Sequence, residues 1–203
     1  MIEGQLMAAS VDLRVVKTRD AIERALIRLL QTKDFERITV QNILDEALVN
    51  RKTFYKHYDD KYNLADAIMD NLIDHFRHAL DKRFSYSEGS ADFPKALGDF
   101  YESILKDRDA MLALFKVRTP KHYLWDDFKE LLLSSYSQHT FEHEPPPSHL
   151  EISYLKELYA TIALGSIKWF LEIGNHSATD VIVDVSSRRT HSPMYGIIGI
   201  PFD

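Results

Sequence analysis

Between Ile38 and Lys61 the chain reads ITVQNILDEALVNRKTFYKHYDDK, and within seventeen residues the same start signal occurs twice. Thr39 is placed to cap a helix, and Ile38 and Ile43 bracket it as a hydrophobic staple. Asn50 is placed to cap a second helix, bracketed by Val49 and Phe54 in the same way. Two caps and two staples so close together leave room for two short helices and a tight turn. That is a helix-turn-helix, and it restricts the fold more than any other feature of the chain.

The flanking segments supply its support. Ile22, Leu26, Leu29 and Leu30 fall on one face of a helix ending near Thr32. Asp60 caps a fourth helix, with Leu64, Ala67, Ile68, Leu72 and Phe76 inward, that extends to about Phe84. SYSEGSAD, 85–92, is polar and turn-rich, so the domain boundary is expected there. The expected division is residues 14–84 as a helix-turn-helix domain with its linking helix, 85–175 as a helical domain, and 176–203 as an irregular tail.

Beyond the boundary helical spacing continues. Phe93, Leu97, Phe100, Tyr101 and Ile104 mark one helix; Asp109 to Val117 marks a short one stopped by Pro120; Tyr123 to about His139 marks a third. After EHEPPPS, Ser148 and Glu151 form a capping box that opens a long helix to Ile173, closed by Gly174. SATDVIVDVSSRRT is rich in β-branched residues and reads as a poor helix. The fold class expected is all-α, a three-helix head followed by a C-terminal helical domain.

Composition narrows the function. With 45% hydrophobic and 11% aromatic residues the chain can build a real core. It has no cysteine, so disulfides, thiol nucleophiles and cysteine zinc sites are excluded. The opening MIEGQLMAAS lacks a signal-peptide pattern, and no run of about 18 apolar residues marks a membrane span. No nucleophile elbow or phosphate-binding glycine loop is present, so an enzyme is not expected. The net charge is -6, yet residues 14–78 hold 12 basic and 11 acidic side chains. The acid lies mostly elsewhere, and a local cationic patch suffices to meet phosphates.

That patch is the second short helix. Phe54 and Tyr58, four residues apart, face the core, which leaves Arg51, Lys52, Tyr55 and Lys56 outward. A major groove admits one helix whose N-terminal side chains reach base edges. Arginine can hold guanine bidentately, Thr53 and Tyr55 suit a base edge or phosphate, and Lys56, His57 and Lys61 suit backbone phosphates. Thr39 can add a phosphate contact from a helix N-terminus. Double-stranded DNA is the expected partner. The competing reading is a helical interaction protein that uses the same scaffold on a protein partner.

The segment TVQNILDEALVNRKTFYKHYDDKYNL resembles the helix-turn-helix signature of the TetR family of transcriptional regulators. The matching features are the threonine before the first short helix, the turn at Ala47, Leu48 and Val49, TFYxHY from Thr53 to Tyr58, and Lys61. The resemblance covers roughly residues 18–65. It implies a cytoplasmic homodimer on a palindromic operator, usually a repressor, whose C-terminal domain binds a small effector. Carried over by position, the family's DNA contacts fall on Thr39, Arg51, Lys52, Thr53, Tyr55, Lys56, His57 and Lys61. Two departures stand out: Leu48 where many members have glycine, and Lys52 where a small residue is common.

The long helix from Ser148 is apolar on several sides, which suggests a second copy covering its outer face. Leu155, Tyr159, Ile162, Ser166 and Phe170 are the expected dimer residues, with Gly165 allowing close approach. Phe100, Ile104, Tyr123, Phe128 and Trp169 are candidates to line an effector pocket for an apolar or planar molecule, although an aromatic stripe at helical spacing is more often core. No cofactor and no metal is expected: His139 and His143 lie before three prolines, and His75 and His78 read as solvated surface.

Overall fold

The computed structural model describes residues 2–84, 92–138 and 148–188. All regular structure among them is helical: α1 Ile2–Leu30, a 3-10 turn Phe35–Arg37, α2 Val40–Ala47, α3 Arg51–Tyr55, α4 Lys61–Phe84, α5 Phe93–Leu105, α6 Arg108–Leu114, α7 Leu124–Gln138, α8 His149–Ile173 and α9 His176–Arg188. No helix among the described residues is long and apolar enough to cross a membrane.

The start signals act as expected. Thr39 Oγ1 accepts the Asn42 N–H at 3.2 Å while Asn42 Oδ1 accepts the Thr39 N–H at 3.2 Å, a reciprocal capping box. Asn50 Oδ1 accepts the Thr53 N–H at 2.8 Å, and Asp60 Oδ1 accepts the Asn63 N–H at 2.8 Å. Between α2 and α3, Leu48 takes the left-handed conformation, φ 55 and ψ 40, and is the only described non-glycine residue with positive φ.

The chain divides into two compact units, Met1–Asn71 with Asp109–Leu124, and Leu72–Arg108 with Trp125–Asp203. The division therefore falls inside α4, not after residue 84. The reason is that α4 is one unbroken helix whose first half buries Leu64, Ala65, Ile68 and Met69 and whose second half buries Leu72, Phe76 and Leu80. In the first unit Ile22, Leu26, Ile38, Ile43, Phe54 and Leu64 are essentially sealed from solvent. Truncating Phe54 alone to alanine would cost about 3–5 kcal/mol.

The second unit is centred on aromatics. Phe76 stacks on Phe128 with centroids 4.0 Å apart and meets Phe100 edge-on at 5.8 Å. Phe170 packs edge-on against Tyr101 at 4.8 Å, and the Tyr101 hydroxyl bonds Ser166 Oγ at 2.8 Å. Helix α8 ends as expected at Gly174, left-handed at φ 68, and Arg108 Nε donates to the Leu171 carbonyl at 2.6 Å. A cation on the last carbonyls satisfies both orphan acceptors and the helix dipole.

Residues 176–188 correct the expectation of an irregular tail, since they form α9. Tertiary packing overrides the β-branched composition. Asn175 Oδ1 accepts the Ala178 N–H at 3.1 Å, and Glu102 of α5 accepts from the Thr179 hydroxyl at 2.7 Å. Helices α5 and α9 also meet at Gly98, where a Cβ would sit 3.6 Å from Val183 Cγ2, an ordinary van der Waals contact. Residues 189–203 lie outside the described residues.

His75 is a second correction. It is half-buried, with Nδ1 against Asp107 and Nε2 2.9 Å from Ser103 Oγ. Ser103 lies within a helix, and catalysis by such a trio would need free amide donors aimed at a developing oxyanion. The trio ties α4 to the end of α5. His78 is exposed, with Nδ1 2.7 Å from the Asp74 carbonyl oxygen. No cluster of three or more metal-ligating side chains occurs among the described residues, and the His139/His143 pair lies outside them.

Candidate nucleic-acid interface

Helix α3 is only five residues long, so it holds its angle through what lies beneath it. Phe54 is fully buried and touches Tyr55 edge-on at 5.4 Å and Tyr58 at 5.9 Å. Tyr58 is fastened to α1: its hydroxyl donates to Glu23 Oε1 at 2.7 Å and accepts from Arg19 Nε at 3.4 Å. Burial, followed by the bond to Glu23, pushes the Tyr58 phenol up to about 12. Helix α2 is fastened to α1 as well, by Arg28 Nε on Glu46 Oε1 at 2.5 Å. The head thus presents α3 on a support bonded at both ends.

With Phe54 and Tyr58 below, Arg51, Lys52, Tyr55 and Lys56 stand outward, all exposed. Arg51 Nη2 donates to Gln41 Oε1 at 3.2 Å, and Gln41 Nε2 in turn donates to Asp45 Oδ1 at 2.8 Å. This steadies the guanidinium while most of its five donors stay available. Gln41 is a neighbour that the sequence reading passed over, although its place two residues after the Thr39 cap puts it on the outer face of α2. Thr39 is exposed at the N-terminus of that helix.

Thr53, His57 and Lys61 are more committed. Thr53 gives both its N–H and its hydroxyl to Asn50 Oδ1, the latter at 3.0 Å. His57 is half-buried, and its pKa is lowered, first by desolvation and then by the nearby charges of Lys56 and Arg19. Lys61 Nζ donates to the carbonyls of Phe35 at 2.8 Å and Glu36 at 3.2 Å, with its charge 4.6 Å from the Phe35 ring centroid. Its ammonium therefore locks the start of α4 to the 3-10 turn.

The other expected sites are placed differently. Phe100, Ile104 and Phe128 are buried core, Trp169 is exposed on α8, and Tyr123 belongs to the other compact unit. Tyr123 instead lines a cavity of about 580 Å³ within the first unit, opposite the turn after α1. On α8, Phe170 is fully buried and Ser166 is bonded to Tyr101, so these two face inward and do not form an outer surface. Leu155, Tyr159 and Ile162 are half-buried. The apolar side chains that α8 leaves exposed are Leu150, Tyr154, Trp169 and Ile173, with Val181 on α9. A helix apolar all round gives no polar marker for its outer side, which is why the expected face was rotated.

Comparison with known proteins supports the head as the defining part. Residues 22–68 match the family model described as "Bacterial regulatory proteins, tetR family". An "Uncharacterized HTH-type transcriptional regulator YxbF" of Bacillus subtilis (strain 168) is 26% identical over 178 residues, covering 85% of this chain. This chain spans 44% of that relative's length. Among solved structures, a TetR transcriptional regulator from Streptococcus agalactiae 2603V is similar at TM-score 0.54 and 23% identity, covering 86% of this chain and 98% of that one. A gamma-butyrolactone receptor (ArpA-like protein) is similar at TM-score 0.52 and 18% identity, covering 87% and 97%. At such identities the structural likeness speaks to the fold.

Proposed function

We propose that this chain, whose residues 22–68 match the tetR family model of bacterial regulatory proteins, is a sequence-specific DNA-binding transcriptional regulator. It acts in the cytoplasm as a homodimer, on a palindromic operator, with one α3 entering the major groove from each subunit. The observation that carries this reading is the polarity of α3. Phe54 and Tyr58 anchor it from below, while Arg51, Lys52, Tyr55 and Lys56 project from it without an acidic residue among them.

In this reading Arg51 and Lys52 read base edges, Tyr55 and Lys56 meet bases or phosphates, and Thr39 offers a phosphate contact. Thr53 serves mainly to set the helix through Asn50, and His57 and Lys61 lend charge at the edge of the patch. Dimerisation uses the exposed apolar face of α8, Tyr154, Trp169 and Ile173, together with Val181 of α9. Gly165, open to space, lets a partner helix approach there. The family's habit of relieving repression by a small effector extends to this protein as part of the proposal.

The test is an electrophoretic mobility assay on duplex DNA flanking the protein's own gene. Lys56→Ala should weaken binding to all sequences and reduce the salt slope by about one. Arg51→Ala should cost about 1–3 kcal/mol and relax base preference. Retention of full affinity after both changes together would sink the assignment of α3. Failure of the wild type to hold any duplex at physiological salt would favour a protein partner instead.

A further inference from the structure

We propose that the cavity between the turn after α1 and the loop 117–123 is a binding site for a small organic anion, one carrying a carboxylate or a phosphate. Its volume of about 580 Å³ is within the range that holds small ligands. All of its walls belong to the first compact unit. None of its lining residues belongs to the outward set on α3 or to the aromatic core of the second unit.

The charge at its walls is unbalanced. Lys33, Arg37, Lys116 and Arg118 line it against Asp34 and Glu36. Glu36 is occupied, accepting a hydrogen bond from the Tyr62 hydroxyl at 3.2 Å. Asp34 and Arg37 form a loose pair at 3.9 Å with both side chains more than four-fifths exposed, an arrangement that contributes little. Lys33, Lys116 and Arg118 form no ion pair among the described residues. Four cations against two carboxylates leave an excess of two positive charges at the walls, which favours an anion.

Arg118 is the most specific element. Its guanidinium lies 3.5 Å from the centroid of the Tyr123 ring. Stacking fixes the plane of the fork and leaves its edge donors for a bidentate partner, the geometry that suits carboxylate and phosphate. The loop that carries it is held from behind. The Thr119 N–H donates to the His122 carbonyl at 2.9 Å, the Thr119 hydroxyl donates to Asp66 at 2.5 Å, and Lys121 and His122 both reach Asp70 on α4. Arg118 is therefore set before any ligand arrives, which spares the cost of ordering it.

The full-length protein is titrated calorimetrically, without DNA, with inorganic phosphate, citrate and phenyl phosphate. Saturable binding of one equivalent per chain is expected, tighter for phenyl phosphate than for inorganic phosphate because the cavity also holds an organic body. If citrate binds and phenyl phosphate does not, the ligand is a carboxylic acid, and the reverse identifies a phosphate ester. The double substitution Arg118→Gln, Lys116→Gln should weaken binding about tenfold or more, which is about 1.4 kcal/mol. Lys33→Gln, on the opposite wall, should weaken it about threefold while leaving the fold intact. The control Lys52→Gln, Lys56→Gln, on α3, should leave anion affinity unchanged. Three results would overturn the proposal: no saturable binding of any probe, undiminished binding in the Arg118/Lys116 pair, or loss of binding in the α3 control. If the Arg118/Lys116 pair weakens duplex binding but not small-anion binding, these residues serve DNA phosphates and the proposal fails. The small-anion titrations are run without DNA and do not depend on recognition by α3, so the two assignments stand or fall separately.

Discussion

Leu48→Gly should stabilise the protein, although it removes a large apolar side chain. Leu48 occupies the left-handed region at φ 55 and ψ 40, between α2 and α3. For an L-residue with a Cβ that conformation costs about 1–2 kcal/mol, and glycine removes the cost. Two losses oppose the gain. The side chain is 92% exposed, so the burial forfeited is small, about 0.2 kcal/mol. Glycine also gives the unfolded chain more freedom, worth about 0.4–1 kcal/mol. The balance is a gain of about 0.5 kcal/mol, or about 1–2 °C in Tm for a chain of this size. Leu48→Val should move the other way, because a β-branched side chain is strained most in this region. Urea unfolding followed by far-ultraviolet circular dichroism compares the three proteins. Duplex affinity of the glycine variant should remain within about twofold, since no base-reading role is assigned to Leu48. A glycine variant less stable than wild type by about 0.5 kcal/mol or more would refute the strain argument. It would mean that the leucine side chain is packed in solution or that the turn is not left-handed.

Two further outcomes follow from titrating groups. The lowered pKa of His57, set first by desolvation and then by Lys56 and Arg19, keeps the ring neutral in the free protein at pH 7. That shift favours folding above the usual histidine value near 6.5, and the benefit declines as pH falls below it. A nearby phosphate would favour the charged ring, so duplex binding should take up a proton and tighten between pH 7.5 and about 5.5. His57→Gln should flatten that dependence in fluorescence anisotropy titrations, and an identical pH profile in wild type and variant would exclude a phosphate at His57. At Asp70, desolvation pushes the carboxyl up, but hydrogen bonds from Lys121 and His122 together outweigh it and leave the pKa lowered. A lowered carboxyl stabilises the fold above its unfolded value of about 3.9 and loses that benefit as pH falls through the folded value. Asp70→Asn should therefore cost about 0.5 kcal/mol at pH 7, a small figure because the side chain is 48% exposed. The deficit should shrink in thermal unfolding as pH falls below the unfolded carboxyl value of about 3.9, and a deficit that does not shrink would assign the loss to packing.

What the sequence made legible is what local chemistry decides. The caps at Thr39, Asn50, Asp60 and Ser148, and the stop at Gly174, depend on side chains within a few residues of the backbone groups they satisfy. The outward set on α3 was legible for the same reason, because Phe54 and Tyr58 fix which side is down. Features set by distant residues were not legible. Helix α9 is held against α5, where Glu102, some eighty residues earlier, accepts from Thr179, and that contact opposes its own β-branched preference. His75 finds Asp107 and Ser103 on other elements, and its sequence neighbours say nothing of them. The outer face of α8 could not be chosen from a helix that is apolar on every side. Lys61 was assigned to DNA, yet it spends its donors on the carbonyls of Phe35 and Glu36, a use no spacing rule reveals.

The brevity of α3 has a consequence for how much such a molecule can spell. Five residues rise about 7.5 Å along the axis, little more than two steps of a duplex. Each wrong letter costs about 1–3 kcal/mol, so a single head separates its two-step word from a random one by about twenty-thousandfold at most. A bacterial chromosome contains on the order of a million places to stand. One head alone would be lost among them, and in the proposed homodimer discrimination comes from requiring two copies of a short word at one fixed interval.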